Sequence, residues 1–130
     1  MSNTIAATFD VTAWDEHQFD RHAGTGKLTR AKVNKSYHGD ISADSLTEWL
    51  MSYSDDGSAC FVGLERIIGT VGEREGTLVV QHVGRFEDGA AKAELTVVGG
   101  ACSGELHGAT GSGTFVADPA GKVSLQLSFA

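Results

Sequence analysis

Apolar and polar residues alternate with period two along most of this chain, the signature of strands that bury one face. Between Thr4 and Trp14, Ile5, Ala7, Phe9, Val11 and Ala13 share one side, and Thr8, Asp10 and Thr12 share the other. The next segment, Asp15 to Gly26, is polar, repeats at no strand or helix period, and reads as a surface loop. Alternation returns from Leu28 to Tyr37, where Thr29, Ala31, Val33 and Tyr37 oppose Arg30, Lys32, Asn34 and His38. Asp40 to Asp56 fits two patterns. Leu46, Trp49, Leu50 and Tyr53 sit at helical spacing, while Ser45, Thr47, Trp49, Met51 and Tyr53 also form one face of a strand.

The most informative stretch runs from Ser58 to Gly89 and predicts two long strands folded back on each other. A four-residue turn at Gly72-Glu73-Arg74-Glu75 pairs Val71 with Gly76. In that register Phe61 faces Phe86, Gly63 faces Gly84, Glu65 faces His82 and Ile67 faces Val80, all on one side. Glu87-Asp88-Gly89 then turns the chain into Ala91, Ala93, Leu95 and Val97. Gly99 to Gly113 reads as a glycine-rich loop, Phe115-Val116 as a short strand, and Val123, Leu125, Leu127 and Phe129 as a last apolar face. The fold class expected is all-β: a single domain over residues 1–130, built as a small antiparallel up-and-down barrel of about eight strands. Closure removes exposed edges, and eight strands leave an interior that side chains fill or one small ligand occupies.

Composition narrows the partners. A net charge of −7, with ten scattered Lys and Arg, argues against nucleic acid and anionic membrane surfaces. No apolar run reaches transmembrane length and no signal peptide is visible, so a cytoplasmic location is the default expectation. There Cys60 and Cys102 are expected as two thiols. The five histidines show no metal-ligand spacing, so neither metal nor other cofactor is expected. Ala23 to Leu28 fails as a phosphate loop because Leu28 stands where Ser or Thr must bind magnesium.

The run WLMSYSDDGSACFVGLERIIGTVGEREGTLVVQHVGRFEDG, with TFDVTAWDE, KLTRAKVNKSYHGDI and GELHGATGSGTFV, resembles a bacterial family known as domain of unknown function three-two-two-four. Members of that family are similar in fold to allene oxide cyclase, a small antiparallel barrel. The resemblance therefore implies that the Trp49 segment is a strand. It implies no activity and brings no catalytic residues.

Candidate chemistry rests on Glu65 and His82. A carboxylate beside an imidazole fixes its tautomer and raises its pKa above about 6.5, as acid–base work requires. The same pair also satisfies two polar groups inside a barrel without any chemistry. Trp49, Tyr53, Phe61 and Phe86 are candidates to line a cavity for a flat apolar compound, with Gly63 and Gly84 removing volume beside them and Trp14 capping the mouth. Three readings follow: a small-molecule-binding barrel, a cofactor-free isomerase or cyclase using Glu65 and His82, and a filled barrel acting through its surface, as a homo-oligomer or otherwise.

Overall fold

The structure, a computed structural model, describes residues 3–24 and 26–130. Met1, Ser2 and Thr25, the last within the expected surface loop, lie outside them. Nine strands follow in chain order: β1 (Thr4–Arg21), β2 (Lys27–Gly39), β3 (Ile41–Tyr53), β4 (Ala59–Val71), β5 (Arg74–Glu87), β6 (Ala90–Val97), β7 (Ser103–Gly104), β8 (Gly111–Ala117) and β9 (Val123–Phe129). Each of β1 to β5 pairs antiparallel with the next, β6 pairs with β8, β8 with β9, and β9 returns to β1. Eight strands thus close a barrel, while β7 adds two residues beside the start of β5. No helix among the described residues is long and apolar enough to cross a membrane.

The segment around Trp49 is strand β3 throughout. Its odd-numbered face points inward and buries Ser45, Thr47, Trp49 and Met51. The expected apolar faces of β6 and β9 also point inward, burying Ala93, Leu95, Val97, Leu125 and Leu127. The chain between β6 and β8 packs Cys102, Leu106 and Ala109 against the core. Cys60 is exposed and Cys102 buried, and both are free thiols.

Three expectations need correction. The first strand does not stop at Trp14; it continues to Arg21, paired with β2 to the end. Bulges between Val11 and Ala13 and between Gln18 and Asp20 break its period, which is why the second half carries no alternation. After the first bulge Trp14 and Glu16 lie opposite the fully buried Val33 and Ala31, so they, not Ala13, take the inner face.

The central hairpin turns in two residues rather than four. Val71 pairs with Arg74, and Gly72 adopts φ 64 at the first turn position, which a side chain would resist. Every predicted pair therefore shifts by two: Phe61 faces Gly84, Gly63 faces His82 and Glu65 faces Val80. An even shift leaves each side chain on its predicted face.

The glycines also differ from expectation. Gly63 and Gly84 stand diagonal to each other rather than opposite, and the volume they release is filled. A Cβ on Gly63 would collide with the Glu48 carbonyl oxygen and the Trp49 indole, and one on Gly84 with the Phe61 ring and the Lys92 carbonyl oxygen. They admit aromatic rings against the backbone instead of opening a shared void.

A buried carboxylate network and its aromatic approach

Glu65 and His82 meet although they are not cross-strand partners. His82 Nε2 lies 2.8 Å from Glu65 Oε1, with His82 0% and Glu65 1% exposed. The same Oε1 accepts from Lys35 Nζ at 3.4 Å. Oε2 accepts from Tyr37 Oη at 2.7 Å and Ser45 Oγ at 2.6 Å. Four donors from β2, β3 and β5 thus converge on one carboxylate of β4. On the far side of the imidazole, Trp49 Nε1 donates to His82 Nδ1 at 3.3 Å. An indole N–H needs an acceptor, so Nδ1 carries no proton and Nε2–H donates to Glu65. His82 is held neutral, which leaves Lys35 and Glu65 as one buried cation and one buried anion.

Burial raises the Glu65 pKa, but the Lys35 charge and the His82 and Ser45 hydrogen bonds outweigh it and bring it down to about 2. The expected upward shift of His82 is not what the site produces. Burial lowers its pKa, Lys35 lowers it further, and the Glu65 contact only partly compensates. Lys35 is likewise lowered, burial outweighing its attraction to Glu65. Tyr37 is pushed well above the usual phenol range by burial and then by Glu65.

Lys35 was hidden by its charge. It lies on the same side of β2 as Ala31, Val33 and Tyr37, so the period-two pattern alone places it inward. Its ammonium sits 4.2 Å from the Phe9 ring centroid, 5.0 Å from Trp49 and 5.5 Å from Phe115. Those aromatic faces offset part of the cost of burying the charge. One buried polar atom among the described residues lacks any partner: Thr47 Oγ1, on β3 directly opposite Glu65.

The aromatic candidates divide into three groups. Trp49, Phe61 and Phe115 form one cluster, with centroids 5.0 Å apart for Trp49–Phe61 and 6.4 Å for Trp49–Phe115. Trp14, 47% exposed, rests on Trp49 at 5.6 Å. Phe86 stands apart at the end of β5, partly exposed and opposite Ala59 and Ala91.

Tyr53 belongs to a second carboxylate site that the sequence did not disclose. Glu16 Oε2 accepts from Tyr53 Oη and Thr29 Oγ1, each at 2.7 Å, and Oε1 accepts from Trp14 Nε1 at 3.0 Å. Lys27 Nζ lies 4.8 Å above the Tyr53 ring. Burial and then the Glu16 contact push Tyr53 up to about 12. Burial would raise Glu16, but its three donors and Lys27 lower it overall. Only the bulge in β1 turns Glu16 toward these partners, so simple alternation could not reveal it. Among the described residues no group of three His, Cys, Asp or Glu is placed to hold a metal.

A search of curated proteins finds no match to this sequence. Among solved structures, the crystal structure of a protein with unknown function from the DUF3224 family of Shewanella oneidensis MR-1 superposes with a TM-score of 0.83. It is 27% identical, over 100% of this chain and 98% of that one. Residues 5–129 match the family described as Protein of unknown function (DUF3224), and that match, spanning nearly the whole chain, places this protein in the DUF3224 family.

Proposed function

We propose that this protein binds a small apolar or aromatic compound carrying one hydrogen-bond acceptor, taken into the barrel beside Trp14 and held against Trp49, Phe61 and Tyr53. One observation carries the reading: an aromatic path leads from the half-exposed Trp14 through Trp49 to a buried polar cluster whose donors are not all met. Lys35 has three N–H groups and one oxygen at 3.4 Å, and the Thr47 hydroxyl has no partner. A ligand carbonyl reaching either donor would supply an acceptor, and its apolar body would displace rings that now fill the interior.

Catalysis by Glu65 and His82 has weaker support. Glu65 already accepts four hydrogen bonds and both imidazole nitrogens are engaged, so neither group is free to take a substrate proton. A likeness in fold to allene oxide cyclase is an analogy of architecture and does not supply a reaction.

The dye prodan, a naphthyl ketone, tests the reading. Binding should blue-shift its emission and quench the protein's tryptophan fluorescence, with saturation at micromolar dye. Trp14→Ala should weaken binding at least fivefold in a protein of unchanged circular dichroism. Absence of saturable binding to the wild type would leave the filled barrel as the better reading.

A further inference from the structure

The outer wall of the barrel carries a second unexplained feature. On β3, β4 and β5 the outward positions hold Leu46, Leu50, Val62, Leu64, Ile68 and Val83, each between 41% and 59% exposed. The pairings make them contiguous. Leu50 stands opposite Val62, Val62 opposite Val83, and Leu46 lies diagonal to Leu64, one step along from its partner Arg66 on the same face. Half of six aliphatic side chains amounts to an area on the order of several hundred Å², the size at which a surface patch marks an interface. A groove runs between its rows, bordered by Leu46, Leu50, Val62 and Leu64.

Charge on this wall identifies the occupant. Arg66 stands in the middle of the patch, opposite Leu46, and its guanidinium meets no carboxylate among the described residues. Glu48 and Asp44 flank it on the neighbouring strand, opposite Leu64 and Ile68, and Glu48 shares an exposed 3.9 Å ion pair with Arg30 that leaves its carboxylate open to a second cation. Asp44 has no ion pair among the described residues. Two such walls packed face to face, related by a two-fold across the strands between the Leu64 and Arg66 rows, are self-complementary. Val62 of each copy then covers Ile68 of the other, and Arg66 of each reaches Glu48 of the other. A cationic or anionic partner would satisfy only one sign of this wall. Three strands at about 4.8 Å spacing and about ten residues of 3.3 Å give a wall of roughly 480 Å². That is a little over half of what one partner contributes to a standard stable interface, the size of a reversible dimer.

We infer that the outer face of β3, β4 and β5 is an interface between two copies of this chain, packed sheet on sheet about a two-fold axis. The aliphatic patch supplies the association, and the two Arg66–Glu48 contacts fix its orientation.

Sedimentation velocity of the purified chain tests this. Wild type should sediment at twice 13.6 kDa at tens of micromolar concentration. Leu64→Arg, a change at an exposed position, should give the single mass with an unaltered circular dichroism spectrum. Arg66→Glu should raise the dissociation constant at least tenfold, and Glu48→Arg added to it should restore most of the loss. A wild type that is monomeric at every concentration overturns the inference. So does a dimer indifferent to both Leu64→Arg and Arg66→Glu, which would place the contact on another face.

Discussion

Glu65 and His82 stand two residues out of register on adjacent strands, yet their side chains are joined by a 2.8 Å hydrogen bond. The diagonal is bridged because Gly63, the true partner of His82, has no side chain in the way. The imidazole leans along the strand under Trp49 to reach the carboxylate. This geometry sets what substitutions at the site should do.

Glu65→Gln keeps shape and removes the anion, leaving Lys35 as a buried cation with no counter-charge. The expected loss is about 3–5 kcal/mol, the range for breaking one side of a buried pair. Urea unfolding at neutral pH measures it. A loss under about 1 kcal/mol would mean that Lys35 and Glu65 are not paired in solution.

Acid should weaken the fold in two steps. The folded pKa of His82 lies below its unfolded value of about 6.5, so the unfolded state takes up the proton first. That contribution is complete above about pH 6.5 and is lost as pH falls through the folded value. Glu65, held at about 2, contributes fully above its unfolded value of 4.5 and loses that contribution as pH falls toward 2. Urea midpoints near pH 7.5, 5 and 3 should therefore decline in order, at up to about 1.4 kcal/mol per pH unit for each proton. Nitrogen NMR at neutral pH should show His82 protonated at Nε2 alone.

Alkaline titration reads both tyrosines at once. Tyr53 is raised to about 12 and Tyr37 well above 10, so phenolate absorbance should be almost absent at about pH 10.5 while the barrel stays folded. Raised values stabilise below the unfolded pKa and lose that stabilisation as pH climbs through the folded one. Glu16→Gln should bring the Tyr53 transition down and leave Tyr37 unmoved. Equal shifts in both would contradict the separation of the two carboxylate sites.

Gly84→Ala should destabilise by about 1–3 kcal/mol, because the added methyl strikes the Phe61 ring and the Lys92 carbonyl oxygen. Combined with Phe61→Leu, the same change should cost clearly less than it does alone, a coupling that a double-mutant cycle resolves. Additive costs would mean that the backbone around Gly84, not the ring, demands glycine.

Alternation made the barrel legible, along with the faces of β2, β4, β5, β6 and β9 and the meeting of Glu65 with His82. That last result survived a wrong loop length only because the error was even. Gly72-Glu73 and Gly72-Glu73-Arg74-Glu75 are both turn-like, and nothing local chooses between them. Other features were out of reach for separate reasons. Bulges erase periodicity in β1 and conceal Trp14 and Glu16 as inward residues. The inward Lys35 could have been read from its position, but a lysine among apolar neighbours is ordinarily discounted as solvated. The downward shift of His82 comes first from burial and then from the Lys35 charge, both of which exist only once the barrel has closed.

Closure of the barrel has a kinetic consequence. The pairings that carry the chain from β1 to β6 each join neighbours in sequence, which hairpin formation can assemble stepwise. The seam between β1 and β9 instead joins Thr4 to Ser128 and Ala7 to Leu125, the two ends of the chain. Loop-closure entropy makes such a distant pairing the last to form. It spans four residue pairs, the fewest of the eight pairings that close the ring, so it is also the first of them to open. Amide exchange should then be fastest at this seam and slowest on β3 and β4, giving the ring a defined place where it unzips.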